Sequence, residues 1–348
     1  MEFLKTDFVK FSPDSGRVMV NLEMAHNQWV DARRSLDEMP ISMFWKGEAE
    51  RQYLTIKNKS TDAGDRLGPR SADTEATLAV FEEEKTALKA KVASLNDLIR
   101  DRAAQYRGLR LPVLPDKQAE ILRKLDIDSL LGCDLMVVGT NAFAAYELAC
   151  GVKFPVGVEE TEDFDLAWCK YTKVSLSSKV KLPNTPGGKT LFSTLRSIDP
   201  SYKINPRKPY QALDGSGYEV ELLAAPSTHP LPKNQGFDPM ATLVEQEWLL
   251  QGQPIMHVLA TIRLRACPLY VPDPRWMALH KLWLSQKPGR NPAKKPKDER
   301  QGNVLLDATR YFLADTYPLD LGFVLDLPDE LRGIFNAWAQ SRQFDPAA

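Results

Sequence analysis

Histidine and cysteine are scarce in this chain, with four of each among 348 residues. Cys133, Cys150, Cys169 and Cys267 stand far apart and form no Cys-x-x-Cys. That spacing argues against a zinc ribbon or a disulfide framework and predicts buried free thiols in a cytosolic protein. No two histidines share a metal-ligand spacing, so a histidine-based zinc hydrolase is a poor fit. No apolar run reaches the roughly 18 residues that a transmembrane helix needs. The start, Met1-Glu2-Phe3-Leu4-Lys5, lacks the apolar segment of a signal peptide, and a cytoplasmic location is expected. Neither sign of charge dominates: 45 Lys and Arg against 46 Asp and Glu give a net charge of −1. Any contact with nucleic acid must therefore be local, and no membrane partner is expected.

What is present is the composition of a globular protein, 43% hydrophobic and 26% charged. The length suits two domains or one elaborated domain. Val20 to Arg34 reads as a short helix. Met43-Phe44-Trp45-Lys46-Gly47 and Gln52-Tyr53-Leu54-Thr55-Ile56-Lys57 read as a hairpin, and Asn58 to Arg70 as a loop. Apolar residues at helical spacing predict a long helix over Thr74–Arg107, capped by Ser71 or Asp73, with a Glu82–Lys85 pair on its exposed side. Lys117 to Asp128 is a second helix.

Leu135-Met136-Val137-Val138 is a short, continuously apolar strand of the kind that lies inside a covered sheet. It runs into Gly139-Thr140-Asn141 and a helix over Ala142–Ala149. Further strands are expected at Asp163–Trp168 and, after a turn at Asp214-Gly215-Ser216-Gly217, at Tyr218–Leu223. From about Asp238 the pattern is mostly helical, with short strands near His257–Ala260 and Leu269–Val271. Helices follow at Pro274–Ser285, from near Lys297 to Asp315, and at Leu331–Arg342. A strand–turn–helix followed by mixed strands argues α/β or α+β, and the α+β form, a small mixed sheet with flanking helices, is the expectation. Three regions are expected: residues 1–115 with the hairpin and long helix, 116–235 as the catalytic core, and 236–348 as a mostly helical domain.

The most informative motif is Asp163-Phe164-Asp165. On a strand the two carboxylates point to one face, where they repel each other unless a cation lies between them. Mg²⁺, or Mn²⁺ in its place, favours one or two carboxylates together with substrate phosphates. Gly139-Thr140-Asn141, between a strand and a helix, lets backbone N–H groups approach a phosphate and adds a hydroxyl donor. A third acid, Glu221 in preference to Glu219, stands on a later strand. Three acids on two strands can hold two metal ions around an in-line displacement at phosphorus.

In this order, Gly139-Thr140, Asp163-Phe164-Asp165 and Val220-Glu221-Leu222 resemble the signature of the nucleotidyltransferase superfamily that includes DNA polymerase beta and the CCA-adding enzymes. The chain is most similar to a bacterial subgroup of nucleotidyltransferase-like proteins. Trp45-Lys46-Gly47, Tyr146-Glu147, Val271-Pro272, His280-Lys281-Leu282 and Lys297-Asp298 carry that likeness over about residues 40–310. Thr140 stands where Ser or Gly is usual, the third acid is Glu rather than Asp, and an insertion falls near Gly151–Glu160.

The resemblance implies a transferase that moves a nucleoside monophosphate from an NTP to an acceptor hydroxyl and releases pyrophosphate. Asp163, Asp165 and Glu221 would be its catalytic residues and the ligands of Mg²⁺ or Mn²⁺. Gly139, Thr140 and Asn141 would hold the nucleotide phosphates, with Lys281 and His280 contributing from a C-terminal helix. Trp45, Lys46, Arg66, Arg70 and Lys297 are candidates for contacts to the acceptor or to phosphate, because aromatics interleaved with cations can clamp nucleic acid. An RNA end or a protein hydroxyl is the expected acceptor. Two other classes fit the same sequence: a nucleotide- or nucleic-acid-binding module that has lost turnover, and an interaction component of a toxin–antitoxin or defence system.

Overall fold

The computed structural model describes residues 2–48, 51–58, 63–132, 135–155, 164–168, 191–224 and 245–347. Of residues 164–168 and 224 it describes the backbone alone. The elements are β1 (Val9–Lys10), α1 (Ser15–Glu38), β2 (Ser42–Lys46), β3 (Tyr53–Lys57), β4 (Asp65–Pro69), α2 (Ala72–Gly108), β5 (Val113–Leu114) and α3 (Asp116–Ile127). Then follow β6 (Leu135–Val138), a 3-10 turn (Gly139–Ala142), α4 (Phe143–Cys150), β7 (Val152–Lys153), β8 (Phe164–Trp168), α5 (Leu191–Ile198), β9 (Lys203–Asn205), β10 (Lys208–Leu213) and β11 (Glu219–Ala224). The chain continues with α6 (Gln246–Leu249), β12 (Ile255–Thr261), β13 (Ala266–Val271), α7 (Pro274–Gln286), α8 (Lys295–Phe312), α9 (Leu321–Asp326) and α10 (Asp329–Ser341). The class is α+β, with several small sheets flanked by helices.

The five-stranded sheet has the order β6-β8-β11-β10-β9. Its two central neighbours, β8 and β11, run parallel, while β6–β8, β11–β10 and β10–β9 are antiparallel. All four residues of β6 are buried, as a continuous apolar run demands of a covered strand. β13, β12 and β5 form a second sheet, which α4 and α1 cover. One hydrophobic cluster runs from Phe3 to Ala339 and draws on the N-terminal, middle and C-terminal regions alike.

The N-terminal region differs from the sequence expectation in three places. The first helix is α1, Ser15–Glu38, longer at both ends than Val20–Arg34; α2 packs along it and extends the buried stripe. The segment expected as a loop contains β4, which makes the hairpin a three-stranded sheet of order β2-β3-β4. Gly68 and Pro69 obscure that strand in the sequence, and an edge position tolerates both. Lys85 does not pair with Glu82: its ammonium donates to the carbonyls of Pro40 (2.7 Å) and Ile41 (2.6 Å), just past the end of α1. α2 otherwise follows its periodicity, burying Phe81, Val92, Leu95 and Ile99, and Ser71 caps it by accepting the N–H of Thr74.

Two polar networks, one part-buried and one buried, join elements distant in sequence. Asp126 receives His26 Nε2 (3.0 Å) and Arg34 Nη2 (3.2 Å), tying α3 to α1. Asp307 on α8 accepts the N–H of Phe3 (2.9 Å), Trp338 Nε1 (3.0 Å) and Arg342 Nε (2.7 Å). α8 also meets α7 closely at Gly302, where an added Cβ would lie 2.5 Å from Leu282 Cγ and 2.8 Å from the Ala278 carbonyl. Cys150 and Cys267 are buried free thiols, as expected; Cys133 and Cys169 lie outside the described residues.

Candidate nucleotidyl-transfer site

β6 ends at Val138 and the chain turns sharply. Gly139 carries φ 78°, a left-handed conformation that glycine adopts without steric cost. The 3-10 turn that follows directs the chain into α4. Thr140 and Asn141 are both buried. Thr140 Oγ1 accepts from Gln301 Nε2 of α8 at 3.1 Å, which leaves its own O–H proton to be donated. Asn141 Oδ1 accepts from Gln118 Nε2 of α3 at 3.0 Å. The turn is thus held between one helix from the middle of the chain and one from its C-terminal part.

β8 lies beside this turn. Asp165 is the register partner of Val138 on one side and of Glu221 on the other. The sheet therefore brings one acid of the Asp-x-Asp motif, the proposed third acid and the residue just before Gly139 into one lateral row. Asp163 lies outside the described residues, and of Asp165 only the backbone is described. Among the described residues no three His, Cys, Asp or Glu side chains gather as a metal cluster.

The row continues onto β10, where Gln211 is the register partner of Glu221. Gln211 is buried, and its side-chain amide nitrogen donates to Glu219 Oε2 at 3.2 Å and to Glu221 Oε1. Sequence reasoning missed Gln211 because it did not assign β10. The turn at 214–217 carried the signal, since a hairpin turn before Tyr218–Leu223 requires a partner strand on its other side, and that strand contains Gln211. The turn itself is built by Asp214, whose Oδ1 accepts the N–H groups of Ser216 (2.8 Å) and Tyr218 (3.0 Å).

Lys281 on α7 is buried, and its ammonium contacts Asp298 Oδ1 at 3.0 Å. Arg290 Nε takes the other oxygen of Asp298 at 2.8 Å. Two cations thus flank one carboxylate. Asp298 lies three residues before Gln301 on α8, hence on one helix face, so the cluster stands about one helical turn from the contact with Thr140. Asp298 is therefore an ion-pair partner and more than a helix-start acid. His280 is buried beside Trp248 and Trp283, with ring centroids 6.5 and 6.4 Å away. Burial, with Lys281, Arg290 and Lys287 nearby, pushes its pKa down to about 3, so the ring is neutral at physiological pH.

The remaining candidates lie elsewhere. Trp45, Lys46 and Arg66 belong to the separate β2-β3-β4 sheet, with Arg70 just beyond it. The Arg66 guanidinium stacks 4.8 Å from the Tyr53 ring, and that of Arg70 5.1 Å from the Trp45 ring. Arg70 is further tied to Glu75 and Gln52, both at 2.7 Å. Lys297 lies in the first turn of α8, next to Asp298.

A cavity of about 290 Å³ opens at the turn, lined among others by Gln118, Thr140, Asn141, Phe143 and Glu147. Glu147 Oε1 accepts the N–H of Phe154 at 2.7 Å. Burial nonetheless raises its carboxyl pKa from the ordinary 4.5 to about 7, against the opposing pulls of that N–H and of Lys153. The folded protein thus holds this proton more tightly than the unfolded chain. Stability falls as pH rises from about 4.5 through about 7. The ionised form then costs roughly 3 kcal/mol. Glu147→Gln keeps the acceptor and removes the charge. Its melting temperature at pH 8 is expected to exceed that of the wild type by several degrees, with the two converging near pH 5 in a differential scanning fluorimetry series.

A family model described as Nucleotidyltransferase matches residues 116–320, more than half of the chain. No curated protein and no solved structure matches it.

Proposed function

Because the chain belongs to the nucleotidyltransferase family, we propose that it transfers a nucleoside monophosphate from an NTP to an acceptor hydroxyl and releases pyrophosphate, within the DNA polymerase beta-like superfamily. The observation that carries this reading is the register of the five-stranded sheet, which sets Asp165 between Val138, at the entry to the Gly139–Thr140 turn, and Glu221. Asp163, Asp165 and Glu221 would hold Mg²⁺ or Mn²⁺. An all-carboxylate oxygen set suits these hard cations, and Gln211 donates to the Glu221 carboxylate. When bound, the metal supplies charge neutralisation at the phosphates.

The protein's own groups account for the rest. The Gly139 backbone and the O–H of Thr140 bind the β- and γ-phosphates. Gln301 orients that hydroxyl by donating to its oxygen, so that the proton points away from α8. Lys281 and Arg290, paired through Asp298, would place cations near the leaving pyrophosphate. Glu221, where it is not occupied by a metal, takes the proton of the acceptor hydroxyl. The favoured acceptors are an RNA end and a protein hydroxyl.

The test is incubation of the purified protein with each α-labelled NTP, Mg²⁺ or Mn²⁺, and total RNA and protein from a bacterial host. Label entering a macromolecule is the expected result, and the labelled band identifies acceptor and base together. The reading is overturned if no label moves with any of the NTPs and isothermal titration detects no metal-dependent NTP binding.

A further inference from the structure

Gln211 sits at the centre of a hydrogen-bond chain whose polarity is fixed from its far end. The Arg207 backbone N–H donates to Asn205 Oδ1 at 3.0 Å, and a backbone N–H can only donate. Asn205 must therefore turn its amide nitrogen the other way, and it donates to Gln211 Oε1 at 3.0 Å. That in turn fixes the Gln211 amide, whose nitrogen has two hydrogens and two carboxylates in reach, Glu219 at 3.2 Å and Glu221. Every donor and acceptor of the Gln211 side-chain amide is engaged apart from one carbonyl lone pair. A buried glutamine held in this way is a rigid support, because a single rotation would break three hydrogen bonds at once.

The two glutamates stand two apart on β11, so they share one face. Without donors between them they would repel each other and drift apart. The chain β9–β10–β11 therefore acts as a lateral brace that ends on the strand facing Asp165. β8, which carries Asp165, and β11, which carries Glu219 and Glu221, are neighbouring parallel strands.

We propose that Gln211 is the positioning residue of the third acid, and that it presents Glu219 together with Glu221 as a paired carboxylate face on the strand beside Asp165. The inference rests on the nucleotidyl-transfer reading. Groups that orient metal-ligating carboxylates from behind contribute about 10- to 100-fold to metal affinity. Gln211→Leu keeps volume and removes both donors. Asn205→Ala leaves Gln211 in place and removes what fixes it.

The experiment is a Mn²⁺ titration followed by electron paramagnetic resonance, in the presence of a non-hydrolysable NTP, with thermal melts of every variant. Gln211→Leu is expected to weaken Mn²⁺ binding about 10- to 100-fold, with a smaller loss in Asn205→Ala. On a Glu219→Ala/Glu221→Ala background, Gln211→Leu should add nothing further, which a merely structural role would not produce. Wild-type Mn²⁺ affinity in a folded Gln211→Leu protein overturns the inference. If that variant does not fold, Asn205→Ala decides, because it touches neither carboxylate; unchanged Mn²⁺ binding there overturns the inference equally. If the wild type with NTP binds no Mn²⁺, the nucleotidyl-transfer reading itself falls, and the inference with it.

Discussion

An Asp163→Ala/Asp165→Ala variant transfers no detectable label from any NTP, a loss of at least about 10³-fold, or roughly 4 kcal/mol of transition-state stabilisation. In the proposed reaction these two residues hold the cations that gather negative charge from three phosphates, and no other part of the site replaces that function. Phosphoryl-type displacement leaves little covalent work to the protein, so positioning and charge supply nearly the whole rate enhancement. Removing two like charges two positions apart in sequence is expected to cost the fold little. The check is a transfer assay beside a thermal melt: a folded, inactive variant fits, and a folded variant with wild-type transfer rates refutes the assignment. Asp165→Asn alone should also fail, since an amide keeps the shape and loses the charge.

Asp307→Ala is the variant expected to damage the fold most. It strips a buried acceptor from Phe3, Trp338 and Arg342 at once, and leaves the guanidinium of Arg342, itself buried, without its carboxylate. Breaking one side of a buried ion pair costs about 3–5 kcal/mol, chiefly because the surviving charge stays desolvated. A urea titration should show the midpoint falling with an unchanged slope. Asp307→Leu/Arg342→Met removes both charges and should be markedly less destabilised than Asp307→Ala. If the double variant is the worse of the two, the stranded charge is not the cause.

The parts of the fold that could be read from sequence are those whose residues decide their own state. β6 is four consecutive apolar residues and α2 carries a long stripe at helical spacing, and both are found where that patterning puts them. β10 is different. Lys208-Pro209-Tyr210-Gln211-Ala212-Leu213 has no alternation and includes a proline, and it becomes a strand only because β11 and β9 pair with it. The site divides in the same way. Gly139 and Thr140 are legible from a strand–turn–helix pattern. The adjacency of Asp165 and Glu221 is a matter of parallel register, which no local pattern encodes. Asp298 illustrates the limit from the other side: a place in the first turn of α8 accounts by itself for no more than a cap or a dipole-compensating acid, whereas burial against Lys281 and Arg290 makes it part of an ionic cluster.

The parallel pairing of β8 with β11 also dictates when the carboxylate row can exist. The single helices and the β10–β11 turn join residues close in sequence and can form early. Asp165 and Glu221 meet only after a long stretch of chain has closed on itself, and loop closure of that kind is entropically costly and slow. During refolding, helical signal therefore precedes the capacity to bind a nucleotide.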